Sequence, residues 1–435
     1  MVTPDLPSRP TVVVRMADAG NTYLYWHWPE GVGAPGVSVV PYADVTEALD
    51  RLAAALPNLA DPFGLERCLT TGTFASYDAE NALAERLSQL FLPYNLAFQL
   101  DYLYNRGIKP HIRIQPSPRV AQIPWELISP DPGLRLVDIA DVSVLAPVGV
   151  VHAPGRTARH WEDTKHLPVV NVLDPRIPGF PADSTLGSVL GRMTADAPAA
   201  RMVAARTAER RMRPKVSDPV AAFRRSDVDR AWLSDELRSG ASRLVYVGHV
   251  TAAPPESGQS ENAELHLACG AAVPGFAPPQ RTHRPFSAKD LILGTHTLTD
   301  EPAAGPDLWP MPSRVALIAC ESGGDLRFGD AFGLVTAMIH SGVELITASR
   351  WALPTDFAFH RIAGAAPGAR PLQDAVYAID AAHEQPDPVS ALASWQRERL
   401  DAWREERSME HSPVLWAAFA TIDTVTQPHH AFDQK

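Results

Sequence analysis

Hydrophobic positions along this chain follow two different rhythms, and the change of rhythm divides it. Between residues 11 and 41 three short runs, "TVVVRM", "TYLYWHW" and "VSVV", are β-branched or aromatic and separated by Gly, Asn and Pro. That spacing predicts three strands. "VTEALDRLAAAL" (45–56) then has helical spacing. A second helix is predicted from Asp78, read as its N-cap, with Leu83, Leu87 and Leu90 on one face and Pro93 beyond its end. "HIRIQ" (111–115), "IPWELI" (123–128) and "VSVLAP" (142–147) are short extended candidates.

After the polar, Pro-marked stretch 152–166 the runs become continuously apolar: "LPVVNVLDP" (167–175), "RLVYVGHV" (243–250), "RVALIAC" (314–320) and "VELITASRW" (343–351). Strands without a polar face are those buried on both sides, as in a parallel sheet. "GDAFGLVTAMIHSG" between the last two has helical periodicity and a Gly at its expected C-terminal cap. Strand, helix, strand is the pattern of a parallel βαβ unit. Further helices are predicted over 356–364, 372–384 and 389–407, and "SPVLWAAFATID" (412–423) reads as an edge strand. The expectation is an α/β fold with a mostly parallel central sheet flanked by helices. An N-terminal α+β subdomain would span 1–165 and a second subdomain 166–435.

Composition narrows the classes. With 435 residues, 45% hydrophobic and 20% charged, the chain can bury a sizeable core. A net charge of −11 offers no global basic field, so neither nucleic acid nor an anionic membrane is an expected partner. The apolar "LSQLFLPYNLAF" is too short for a membrane span and is broken by Pro93. "MVTPDLPSRP" lacks the layout of a signal peptide. Three cysteines, 68, 269 and 320, with no CxxC spacing argue against a disulfide framework or a zinc site. They point to a reducing cytoplasm, with no cofactor expected. The Pro-rich segments 252–285 and 302–312 read as long surface loops. Residues 201–230 carry nine Arg/Lys against four Asp/Glu. They read as a solvated helix plus linker, or as a basic stretch that grips a partner or is cut.

The candidate chemistry lies at two strand ends. His249 closes "LVYVGH" and Cys320 closes "VALIAC". In open parallel sheets functional residues gather at the carboxyl edge, and neighbouring strands would bring both side chains to one rim. A thiol of ordinary pKa near 8.5 is mostly protonated at neutral pH, and a nearby imidazole removes that proton and returns it to the leaving amine. Ser322, Gly323 and Gly324 permit a sharp turn after the cysteine. The backbone N–H groups of Cys320 and Val250 are the candidate oxyanion donors; losing one such donor costs about 3 kcal/mol. Taken alone, a strand-end cysteine is ordinarily a small buried hydrophobe. Cys68 and Cys269 have no such context and read as structural. His266 beside Cys269 in "ELHLACG" offers two ligands, too few for a metal site. Neither G-x-S-x-G nor G-x-x-x-x-G-K-[ST] occurs to support a small-molecule hydrolase or a nucleotide enzyme.

The ordered series "LPYNLAFQL", "IPWELI", "VGH", "ACESG", "GDAFGLVTAMIHSGVE", "LITASRWALPTD" and "PVLWAAFATID" resembles the CHAT peptidases, caspase-like relatives of caspases and separases, over roughly residues 80 to 425. The resemblance implies a caspase-like fold and a cysteine endopeptidase making limited cuts in a protein substrate. His249 would be the base or thiolate partner and Cys320 the nucleophile. It also implies regulation by an activating or inhibiting protein partner, as in bacterial stress and antiviral defence. Three features depart from the family. Val250 stands where Gly usually follows the histidine. About 70 residues separate His249 from Cys320, against roughly 50 in caspases. Asp356 lies one residue later than the relatives' acidic position. On the segment that lines the relatives' substrate pocket, Asp356 would favour a basic P1 residue and Arg350 an acidic one, with Trp351 between them. Glu321 would cap the next helix or contact the base, and Pro124-Trp125 would pack on the sheet. The Val250 departure keeps a second reading open, a catalytically inactive interaction module.

Overall fold

Alternation of side chains builds the first end of the sheet. In the computed structural model, which describes residues 9–209 and 211–424, β1 (Thr11–Ala19), β2 (Asn21–His27) and β3 (Gly36–Val40) pair antiparallel. Leu24 and Trp26 of β2 are buried while Tyr23 and Tyr25 are exposed, the period-2 pattern of a strand covered on one side. β1 continues parallel to β4 (His111–Gln115), and β4 parallel to β5 (Asp141–Leu145). The opening "MVTPDLPS" and Arg210 of the basic stretch lie outside the described residues.

The second end comes from the continuous apolar runs. β6 (Val169–Leu173), β7 (Met212–Arg213) and β8 (Arg243–Val247) are followed by a small separate sheet of β9 (Val250–Thr251), β10 (Glu264–Leu265) and β11 (Phe286–Ser287). β12 (Arg314–Ile318), β13 (Leu345–Ser349) and β14 (Phe419–Asp423) complete the main sheet. Among the described residues its eleven strands run in the order β3-β2-β1-β4-β5-β14-β13-β12-β8-β6-β7. β6, β8, β12 and β13 are parallel and buried at all five positions. Both faces are covered: Val245, Val247, Ala316 and Ile318 join one apolar core, Leu244, Tyr246, Val315 and Leu317 the other. The expected α/β fold, mostly parallel and flanked by helices, is present.

Several local expectations are corrected. Phe419–Asp423 is no edge strand; it lies between β13 and β5, antiparallel to the first and parallel to the second. All five of its residues are buried, so its apolar run marked a centre. "IPWELI" forms a 3-10 turn at Trp125–Leu127 rather than extended chain. The helix Tyr77–Phe91 is capped by Ser76, whose hydroxyl accepts from the Ala79 amide, and Asp78 stands in its first turn. The helix after Cys320 starts only at Leu334 and ends at His340. The stretch 252–285 is not all surface loop: Leu265, His266, Leu267 and Cys269 are fully buried around β10. Arg206 and Arg211 of the basic stretch are ion-paired with Asp380 and Glu384 of the helix Pro371–Glu384. Among the described residues no helix is long and apolar enough to cross a membrane.

Candidate active site at the carboxyl rim

Register brings the strand ends before His249 and Cys320 side by side. β8 and β12 are adjacent and parallel, with Val247 opposite Ile318, and the Gly248 amide donates to the Ile318 carbonyl (3.3 Å). His249 and Cys320 each follow that last pair by two residues. Neighbouring strands lie about 4.8 Å apart, so the two residues leave the sheet side by side. On the other side of β8, β6 ends in the same register, Leu173 opposite Val247. Gly248 is required there, since a Cβ would lie 2.7 Å from the Tyr246 hydroxyl.

The turn after Cys320 is tightly held. Glu321 has a left-handed backbone (φ 50), uncommon for a residue with a Cβ. Its N–H donates to the Trp351 carbonyl (3.1 Å), and the Gly323 N–H to the Ser349 carbonyl (2.9 Å). The buried Ser322 hydroxyl donates to the Leu317 carbonyl (2.7 Å), while the Ser349 hydroxyl donates to the Ala319 carbonyl. The Glu321 carboxylate pairs with Arg327 (3.0 Å). Cys320 is half-buried, and its Sγ accepts from the Leu353 amide (3.4 Å). Burial pushes its thiol up from the ordinary value, and the Leu353 contact offsets this in part.

His249 is held from the opposite side. Its Nε2 lies 3.0 Å from the Gly187 carbonyl, which only accepts, so Nε2 carries the proton and Nδ1 is left as the basic nitrogen. Burial lowers its pKa, and the Gly187 carbonyl and the Asp174 carboxylate oppose that shift. Its backbone carbonyl accepts from the His266 amide (3.2 Å) and from the Tyr246 hydroxyl (2.7 Å). With His266 bonded to His249, Val250 and Leu265 form a non-hydrogen-bonded pair of the β9–β10 ladder. The Val250 N–H therefore points away from β10. Val and Gly present the same donor at this position.

Behind this strand lies a pair of fully buried histidines, His266, which the sequence marked only as a neighbour of Cys269, and His283, which sequence reading did not single out. The His283 Nδ1 lies 2.9 Å from the Cys269 carbonyl and must carry a proton. Its Nε2, 3.1 Å from His266 Nδ1, is then an acceptor, and His266 Nε2 accepts in turn from the Thr251 hydroxyl (2.9 Å). Neutral rings give each of these contacts one donor and one acceptor. Burial, with the neighbouring His283 and His249, pushes His266 down to about 3. An unfolded histidine titrates near 6.5, so between those values the unfolded chain binds more protons. Stability is then lost as pH falls below about 6.5, by about 1.4 kcal/mol per pH unit for such a group. Melting temperatures measured from pH 8 to 4 are expected to fall on the acid side, and His266→Gln to flatten that slope; an unaltered slope contradicts it.

The residues expected to select substrate are turned inward. Arg350 is 4% exposed; its guanidinium donates to the Ala417 (2.9 Å) and Phe419 (3.3 Å) carbonyls and pairs with Glu126 (3.0 Å). Trp351 is buried, its indole N–H on the Val414 carbonyl (2.8 Å). Asp356 begins the helix Asp356–Arg361, and its Oδ1 accepts the Leu372 N–H at the start of the helix Pro371–Glu384 (2.8 Å). Trp125 is buried edge-on against Phe91. Cys68 and Cys269 are buried free thiols.

The sheet is mostly parallel and covered on both faces, and His249 and Cys320 follow neighbouring parallel strands at the same end of it. The family model for the CHAT domain matches residues 81–424, well over half of the sequence, and the chain belongs to that family. No curated protein matches it. Among solved structures, it is similar to a chain of the Saccharomyces cerevisiae separase–securin complex at 9% identity and a TM-score of 0.46. The match covers 96% of this chain and 30% of that one.

Proposed function

We propose that this chain is a cysteine endopeptidase that makes limited cuts in a protein substrate, with Cys320 as nucleophile and His249 as base. The observation that supports the reading is the shared register of β8 and β12, whose last pair His249 and Cys320 each follow by two residues. The Gly187 contact puts the proton on Nε2 of His249, which makes Nδ1 the nitrogen proposed to take the thiol proton. Attack of the Cys320 sulfur on a peptide carbonyl puts negative charge on the oxygen. The N–H groups of Cys320 and Val250 are the proposed donors to it. The imidazolium then protonates the departing amine, and water completes hydrolysis of the thioester.

Regulation belongs to the same proposal. The Cys320 thiol is half-buried, held by Leu353 and pushed toward its neutral form. These features support a latent state that a partner protein or signal releases, in a cytoplasmic setting such as bacterial defence. They equally favour the second reading, a caspase-like interaction module without activity. Incubating the protein, with and without partners from neighbouring genes, against a proteome and sequencing new N-termini separates the two. Wild-type products absent from the Cys320→Ala digest are expected; products that persist in that variant sink the nucleophile assignment.

A further inference from the structure

The strand before His249 in the sheet ends in an acidic residue that no part of the proposed chemistry uses. Asp174 follows β6 with a left-handed backbone (φ 49) and is 1% exposed. Its amide donates to the Val247 carbonyl (2.6 Å), fixing it beside the end of β8. A buried carboxylate needs partners, and this one finds them in a single turn. Oδ2 accepts from the Ser188 hydroxyl (2.5 Å) and the Leu190 amide (3.4 Å), and Oδ1 from the Val189 amide (3.1 Å). The residue before these three is Gly187, whose carbonyl holds His249 Nε2. Arg224 closes the arrangement: one guanidinium nitrogen donates to Asp174 Oδ1 (3.2 Å), the Gly187 carbonyl (3.1 Å) and the Pro175 carbonyl (3.2 Å). Gly187 itself admits no side chain, because a Cβ would lie 2.2 Å from the Ala182 carbonyl oxygen.

We infer that Asp174 is a positioning residue for His249: its carboxylate clamps the turn 188–190 so that the Gly187 carbonyl keeps the imidazole proton on Nε2 and leaves Nδ1 bare. The inference rests on the peptidase reading for its consequence in catalysis, but not for its geometry. The charged groups acting on the His249 ring are Asp174, which favours the imidazolium, and Arg224, which opposes it; His266 lies on the strand behind. Removing the Asp174 charge leaves Arg224 unopposed and frees the Gly187 turn. Both changes make His249 less basic.

Asp174→Asn is the direct test, since Asn tolerates the left-handed backbone but turns an NH2 toward the Leu190 amide. Ser188→Ala, at a half-buried position, removes one clamp bond and serves if the first variant does not fold. Ring-nitrogen NMR of labelled histidine reads the His249 tautomer and its titration, and peptide cleavage reads kcat and KM. In both variants the proton is expected to lose its confinement to Nε2 and the midpoint to fall. kcat is expected to drop about 10- to 100-fold with KM nearly unchanged, the scale for groups that orient a catalytic ligand or base. A wild-type tautomer and titration in both variants overturn the inference, whatever the kinetics. If the wild-type protein cleaves nothing, the peptidase reading falls, while the ring-nitrogen spectrum still decides the role of Asp174.

Discussion

His249→Ala is expected to lower kcat for peptide cleavage by about 1,000-fold, within the range for loss of a positioned general base and acid, with KM little changed. The size follows from the state of the thiol. Cys320 is pushed up by burial, so almost none is thiolate at neutral pH without a base. The imidazole both creates the nucleophile and protonates the leaving amine, so its removal damages both halves of the reaction. Its pKa lies below the ordinary histidine value. The wild-type rate should therefore rise with pH through a midpoint below about 6.5, as the ring loses the proton that prevents it acting as base. Alkylation of Cys320 by iodoacetamide, followed by mass spectrometry, gives a second readout that needs no substrate. A variant that retains wild-type kcat and alkylation rate rules out His249 as the base.

Glu126→Ala is the second large effect, and it falls on stability. Arg350 and Glu126 are each 4% exposed at the side chain and meet in a two-pronged pair across 224 positions of sequence. Removing one partner leaves the other charge buried, which costs about 3–5 kcal/mol. Urea unfolding should show the midpoint falling with little change in slope. The double replacement Glu126→Met with Arg350→Met should recover most of the loss, because it removes both charges together. Arg350→Ala separates two roles. A lost fold marks a structural pair. A stable variant with altered P1 preference instead marks a substrate contact.

Much of this arrangement was legible before folding. Continuous apolar runs announced β6, β8, β12 and β13 because strands covered on both faces carry no alternating signal. "VGH" and "ACESG" announced the rim, because strand ends are where side chains leave such a sheet. Local reading failed where the decision was not local. Phe419–Asp423 looked like an edge strand, yet its place between β13 and β5 depends on two segments far from it along the chain, one of them near its beginning. "VLDP" read as a strand ending in a turn. Nothing near Asp174 in sequence reveals that its carboxylate would cap residues 188–190. His283 lay in a stretch read as loop, and its pairing with His266 needed β10 to fold inward.

By itself, then, the sequence determined the α/β class, the covered strands and where the strands before His249 and Cys320 end, since these follow from periodicity and strand termini. Only the tertiary structure decided which charges are buried against partners within the chain. Arg350 and Asp356 are polar in any list, but burial turns each toward a partner, Glu126 for one and the Leu372 amide for the other. It likewise decided that His249 keeps its proton on Nε2, because a tautomer is chosen by the group across the hydrogen bond. That group, the Gly187 carbonyl, lies 62 residues away along the chain.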